Sequence, residues 1–340
     1  MAPQKKRAPT MKDVARTAGV SQTTVSFVLN NKPGVFFADE TKARIQEAVE
    51  KLGYRPNVAA QVLRTSKTHL IGLISDEIAT SPHAGQIIEG AQDAAWANSK
   101  LLLLMNTGCR DDVEKAAIEM LLDRQVEGII YATMYHRPVS LPDALRGVPT
   151  VLLDCFVQDR SLPSVVPDEV QGGRVATEHL LSQGHRRIGF LNQIPPIPAS
   201  VGRLEGYQRG LAAYGVTFDE SLVLAEVSEA NGGYQGAVKL MRRPDRPTAI
   251  FCFNDRMAMG AYDVLRKLGL SIPEEVSVVG FDNEEIIADH LYPPLSTVQL
   301  PHYEMGEWAV NCLVEHNQSD AVGAPIQHVI ECPFVKRAST

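Results

Sequence analysis

Two groups of side chains in this chain could act by contact with a partner. The first is a run of short polar residues, Ser21, Gln22, Thr23, Thr24 and Ser26, with Thr10 before it and Asn30 after it. A helix that enters the major groove of duplex DNA needs such a narrow polar surface at its N-terminal end. Gln22 can bond the N6/N7 edge of adenine, and Thr23 can reach a base edge or a thymine methyl. Thr10, Ser21, Ser26 and Asn30, with Lys and Arg nearby, suit phosphate oxygens. The second group consists of polar residues that follow apolar runs: Asp76 after LIGLIS, Asp154 after TVLL, Asn254 and Asp255 after AIFCF, and Asp282 after SVVGF. Arg203 follows the Pro-rich stretch IPPIPASVG. A guanidinium and carboxylates that converge on a cleft suit a polyhydroxylated molecule, because each can pair with adjacent hydroxyls. Asp255 and Asp282 could instead cap helices or hold turns. For Asp255, followed by RMAMGA, the cap is the favoured reading; for Asp282 and Arg203, the ligand.

Residues for bond-making chemistry are not arranged in any familiar pattern. There is no G-x-S-x-G, H-E-x-x-H, P-loop or G-x-G-x-x-G segment. His179 and His185 stand six apart, on a helix and its exit, and share no metal-binding face. The five cysteines are scattered, with no C-x-x-C pair, and Cys155, Cys252 and Cys332 sit in apolar runs as small hydrophobes. No enzyme activity, cofactor or metal is expected.

The polar run near the N-terminus needs helices to present it. Thr10 and Asp13 have capping-box spacing, and Gly19 stops the helix they start. Ser21 caps a second helix, QTTVSFVLN, and Val14, Ala15 and Ala18 face Val25 and Val28 across a short turn. A third helix, about 39–52, carries Ile45, Ala48, Val49 and Leu52 on one face and ends at Gly53. Three short helices around a tiny core make a helix-turn-helix head. From Leu70 the pattern alternates between strand and helix. The apolar runs at 70–75, 101–106, 127–132, 150–154, 187–192, 248–254 and 276–282 are continuous, as in parallel strands buried on both faces. There are too many units for one small sheet, so two Rossmann-like lobes are expected, with ligand at the carboxyl ends of their strands.

Charge divides the same way. Residues 1–70 carry 12 Lys/Arg against 5 Asp/Glu, and the remainder carries 21 against 35. A basic head on an acidic body implies that only the head approaches a polyanion. The N-terminus MAPQKKRAPT has no apolar stretch behind it, and no run approaches the length of a membrane span, which points to a soluble, cytoplasmic chain with no membrane partner.

The run TMKDVARTAGVSQTTVSFVLN, followed by RIQEAVEKLGYRPNVAAQVLR, resembles the lactose-repressor/galactose-repressor family of bacterial transcription regulators. The likeness continues through GHRRIGFL, RLEGYQRGL, FNDRMAMGA, SVVGFDN and PPLSTV, and so covers nearly the whole chain. It implies an all-α helix-turn-helix DNA-binding head over 1–56, a hinge helix over 57–68, and an α/β, two-lobed, periplasmic-binding-protein-like body over 69–340. The first lobe would span about 69–166 and 299–325, the second about 167–298 and 326–340. It also implies a repressor that binds a near-palindromic operator as a homodimer and answers to a small-molecule effector. Gln22, Thr23 and Phe27 would occupy base-reading positions, with Phe27 either touching a thymine or packing at the surface. Leu63 would wedge into the minor groove, with Asn57 and Ala60 on its helical face. Arg203, Asn254 and Asp282 match effector-binding positions, and Asp154 another pocket carboxylate. Asn231 stands where many relatives stack an aromatic on the effector, and Pro167-Asp168 where they often have an acid before Asn. His83 lies where an aromatic or small residue is common, as a pocket donor or an exposed loop residue. A polar pocket favours a sugar or sugar derivative over a purine. Ligand would reorient the lobes and thereby the paired hinges, as inducer or corepressor according to the arrangement it prefers. No heptad-bearing segment follows IQHVIECPFVKR, which favours a dimer over a tethered tetramer.

Overall fold

Thr10 and Asp13 close the expected capping box. The Thr10 hydroxyl donates to Asp13 Oδ2 at 2.6 Å and accepts the Asp13 amide at 3.4 Å. This starts α1 (Met11–Ala18), which ends on Gly19 at φ +66°. Ser21 starts α2 (Gln22–Leu29) by accepting the Thr24 amide at 3.0 Å, and α3 (Asp39–Leu52) ends on Gly53 at φ +61°. Glycine takes that left-handed backbone without a Cβ penalty, so both helices stop where the sequence says. Val14, Ala15, Ala18, Val25, Ile45, Ala48 and Tyr54 form the core of this unit, with Val28 partly buried against it.

The computed structural model describes residues 9–30, 32, 34–54, 67–81, 84–316 and 324–340. The chain divides into two units, residues 1–68 and 69–340. The larger contains, in order, β1 (Leu70–Ser75), α4 (Gly85–Ala97), β2 (Leu101–Asn106), α5 (Asp111–Asp123), β3 (Ile129–Pro138), β4 (Thr150–Phe156), β5 (Ser164–Pro167) and α6 (Glu169–Ser182). It continues with β6 (Ile188–Gln193), α7 (Pro198–Ala213), β7 (Val223–Glu226), α8 (Ala230–Met241), β8 (Ala249–Cys252), α9 (Asp255–Lys267), β9 (Ser277–Val279) and α10 (Glu285–Ala288). Last come β10 (Thr297–Val298), α11 (His302–His316), β11 (Gln327–Ile330) and β12 (Phe334–Val335).

Two parallel sheets result, of order β11-β5-β4-β3-β1-β2 and β7-β6-β8-β9. Each is the core of one lobe. Ile71, Leu73, Ile130, Val151 and Leu153 pack with α11 residues Met305, Ala309 and Leu313 in the first. Ile250, Cys252, Met257, Tyr262 and Val278 pack together in the second. The chain crosses between lobes from β5 to α6, from β9 to α11, and from β11 to β12, and β10 pairs antiparallel with β12 on the way.

Two expectations need correction. The family resemblance implies that β11 belongs to the second lobe with 326–340, but it extends the first-lobe sheet beside β5. Its sequence QHVI alternates in exposure as an edge strand does, a pattern that carries no address for one sheet over another. The continuous run LLLLMN predicts a strand buried on both faces, yet β2 is an edge strand with Leu101 and Leu104 56% and 36% exposed.

Candidate functional site

On the head, Gln22 and Thr23 open α2 exposed, and among the described residues no partner engages either side chain. Their donors and acceptors are therefore available to base edges. Ser21 and Thr24 share a 2.8 Å hydroxyl contact at the helix start, and the Asn30 amide reaches back to Ser26. Thr10 differs from expectation: its hydroxyl proton is committed to Asp13, which makes it a capping residue before a phosphate donor. Phe27 is half-buried and lies outside the head core, with Lys32 Nζ 4.4 Å above its ring. Asn57, Ala60 and Leu63 lie outside the described residues, as does His83.

In the body, a cavity of about 230 Å³ brings together Asp154, Arg203, Asn254 and Asp282. The close approach of α6 and α7 builds its centre. A Cβ on Gly206 would sit 2.2 Å from the Val170 carbonyl oxygen, and one on Gly173 2.4 Å from that of Arg203. Backbone therefore meets backbone, and Glu169, first residue of α6, comes to lie against Arg203. The guanidinium is 3% exposed; Nε donates to Glu169 Oε2 at 2.7 Å and Nη2 to Oε1 at 3.3 Å. Nη1 donates to the Phe253 carbonyl at 2.5 Å and lies 3.5 Å from Asp282 Oδ1. The rings of Phe281 and Phe253 cover its faces, with centroids 3.5 and 4.3 Å away. Arg203 is thus largely engaged within the protein and leaves one Nη2 N–H for a ligand.

The carboxylates are the less satisfied partners. Asp154 and Asp282 both have positive φ, +56° and +103°, a strained backbone of the kind that clusters at functional sites. Asp154 is 4% exposed, and its Oδ1 has no hydrogen-bond partner among the described residues. Burial, aided by Glu169, pushes its carboxyl well above the usual range. Burial likewise raises Asp282 to about 7, against the pull of Arg203. Asn254 is the N-cap of α9: its Oδ1 accepts the Met257 amide at 2.8 Å and its Nδ2 donates to the Ser228 carbonyl at 3.0 Å. Asp255 is therefore not the cap. Fully buried, it accepts from the Thr297 hydroxyl and the Glu284 amide, each at 2.7 Å, and braces the loop that carries Asp282.

Asp76 and Asn231 stand apart from this cavity. Asp76 accepts from Arg137 Nη2 at 2.8 Å and lines a separate cavity of about 250 Å³ with Thr107, Cys109 and Tyr131. Asn231 is exposed, because the inward face of α8 is formed by Gly232, Gly233, Gly236 and Ala237; Ser228 lines the cavity in its neighbourhood. The lining also includes Tyr135, His136, Glu169, Gln193 and Arg256, none of which sequence reasoning chose. For Glu169 the only signal was its place behind Pro167-Asp168; the strand before it, SVVP, is too short to register.

A helix-turn-helix unit joined in one chain to a two-lobed parallel-sheet unit with a polar cleft defines a ligand-responsive DNA-binding regulator. Residues 10–57 match the model for bacterial regulatory proteins of the lacI family, and 177–340 that for a periplasmic binding protein-like domain. Over 308 residues, 90% of this chain, it is 33% identical to the HTH-type transcriptional repressor PurR of Vibrio atlanticus, covering 91% of that protein. The ribose operon repressor of Escherichia coli is 32% identical over 308 residues, 90% of this chain and 92% of its own. Among solved structures, the lac repressor dimer bound to operator and the anti-inducer ONPF superposes with TM-score 0.78 at 26% identity, covering 98% of this chain and 99% of that one. A complex of the transcriptional regulator CelR with cellobiose gives 0.68 at 30%, covering 98% and 100%. The chain belongs to the LacI family of bacterial regulators, and is a DNA-binding transcriptional repressor with an effector-binding body.

Proposed function

We propose that two copies of this chain bind a near-palindromic operator, and that a small sugar or sugar derivative held in the Arg203 cavity sets their affinity for it. The convergence of Asp154, Asp282, Asn254 and Arg203 in one cavity carries this reading. Asp154, whose Oδ1 lacks a partner among the described residues, suits a hydroxyl, which can both donate and accept. The volume, about 230 Å³, falls below the roughly 300–1,000 Å³ of sites for drug-sized ligands, and suits a single ring. Arg203 lies over one face of Phe253, which closes that face to a flat base. The ribose and cellobiose named for two relatives agree with a polyol. On the DNA side, Gln22 and Thr23 read bases in the major groove, with Phe27 beside them. Leu63, with Asn57 and Ala60, enters the minor groove at the hinge, a role that rests on the sequence alone. Leu63→Ala is expected to weaken specific operator binding in a polarisation titration while ligand binding by the body is kept.

A thermal-shift screen of the full-length chain tests the sugar. D-Ribose, D-galactose, D-glucose, cellobiose, hypoxanthine and guanine are the probes, since a ligand that binds only the native state raises Tm. A monosaccharide is expected to raise Tm, and Asp154→Asn to abolish the response. Arg203→Ala is a poor control, because it would leave Glu169 buried without its partner, at about 3–5 kcal/mol. A response to the nucleobases alone would replace the sugar by a purine.

A further inference from the structure

β3 does not run straight into the cavity. It pairs with β4 as far as Ala132 opposite Leu153, then resumes at Arg137 opposite Cys155, so the residues between bulge out of register. Both ends of the bulge are anchored. Thr133 Oγ1 lies 2.9 Å from the Tyr135 carbonyl and 2.8 Å from that of Asp154, and Arg137 is tied to Asp76 at 2.8 Å. Bulges of this kind re-aim a side chain at a site. Here His136 is the side chain, a lining residue of the Arg203 cavity, with its ring edge-on to Phe156 at 5.3 Å. Neither ring nitrogen has a hydrogen-bond partner among the described residues, although both are buried. The same is true of Oδ1 of Asp154, which lines the same cavity.

Resting on the reading of the cavity as a polyol site, we propose that His136 and Asp154 form a ligand-reading pair. Asp154 takes a hydroxyl or ammonium donor, His136 takes the neighbouring polar group, and the cavity refuses anionic sugars. Burial lowers the His136 pKa, so the neutral ring offers one donor and one acceptor. The refusal follows from the charges. Asp154, Glu169 and Asp282 line the cavity against two guanidiniums, and both of these are already paired. Arg203 is held by Glu169, and Arg256 lies 3.3 Å from Glu284 and 3.6 Å from Glu229. A phosphate or carboxylate on the ligand would meet the Glu169 carboxylate and two acids that burial already drives toward the neutral form, without an uncommitted cation among the described lining residues to take its charge. An unpaired buried polar group is expensive to leave unmet, which makes the pair selective as well as adhesive.

Isothermal titration of the full-length chain with matched sugars is the test. D-Glucose, D-glucosamine and D-glucose 6-phosphate form one set; D-galactose, D-galactosamine and D-galactose 1-phosphate a second; D-ribose and D-ribose 5-phosphate a third. In the set that binds, the neutral or amino sugar is expected to bind at least about tenfold more tightly than its phosphate, and His136→Leu to weaken it about tenfold. His136→Gln, which keeps a donor and an acceptor without the ring, covers the case in which the leucine variant does not fold. It is expected to fold and to change the ranking of glucose, galactose and ribose. A phosphorylated sugar that binds as tightly as its parent overturns the proposal and leaves the polyol reading standing. So does a folded His136 variant with unchanged affinity and ranking. Failure of every sugar in all three sets removes the polyol reading and this proposal with it.

Discussion

At the proposed site, Asp282 would link ligand binding to protons. Burial raises its pKa to about 7, so between pH 4 and pH 7 the native protein holds a proton that the unfolded chain releases. Its contribution to stability is therefore fullest at low pH and is lost as pH rises through 7. A ligand hydroxyl donates best to the ionised carboxylate and lowers that pKa on binding. Effector binding is accordingly expected to release protons and to tighten between pH 6 and pH 8. Titration calorimetry in two buffers of different ionisation enthalpy reads the proton count directly, and Asp282→Asn should flatten the profile. At the other end of the chain, Gln22→Ala is expected to relax discrimination at one adenine by about 1–3 kcal/mol, seen in competition between matched and substituted duplexes. That Asp154, Arg203 and Asp282 meet in one cavity was legible in the sequence, the two acids from their place after apolar strands and Arg203 from the family motif around it. What Arg203 does was not. Its match to a ligand-binding position gave no sign of Glu169, which comes to it from another helix only through the contact of α6 with α7.

That contact belongs to the scale of elements. The glycines at 173 and 206 leave space that a methyl group would fill, so Gly206→Ala should force the two helices apart. The expected result is a lowered Tm together with a weakened ligand response, because Glu169 and Arg203 would lose register; a Tm unchanged by this substitution would contradict the close approach. Thr10→Ala, by contrast, removes a cap from α1, about 1 kcal/mol of stability in the head, and should leave the ligand response of the body intact. Helix ends were readable in advance because caps and stops are local: Thr10, Gly19, Ser21 and Gly53 all do in space what their types announce. The β3 bulge was not readable, since nothing in YATMYHRP marks where pairing with β4 lapses. β11 was placed in the wrong lobe for a related reason. Strand residues declare their alternation, and the neighbour they pair with is set by the rest of the sheet.

For the whole molecule, charge and linkage set the behaviour. Residues 1–70 carry a net basic charge and the rest a net acidic one, so DNA contact is expected at the head and should be strongly salt-dependent. If two copies bind the operator as proposed and neutralise 6–10 phosphates, affinity should fall by about 10³–10⁵ between 50 and 200 mM salt. Ligand and DNA meet different units of the chain, and any coupling between them must be reciprocal. The most direct measurement uses a duplex enriched from a randomised pool on the full-length chain. Its affinity is read by fluorescence anisotropy with and without a saturating concentration of the sugar that raises Tm. The enriched sequence should be a two-fold near-palindrome, and the sugar should change its Kd by about 5–150-fold in the native chain and not in Asp154→Asn. An affinity that saturating sugar leaves unchanged in the native chain would contradict control of the head by the cavity.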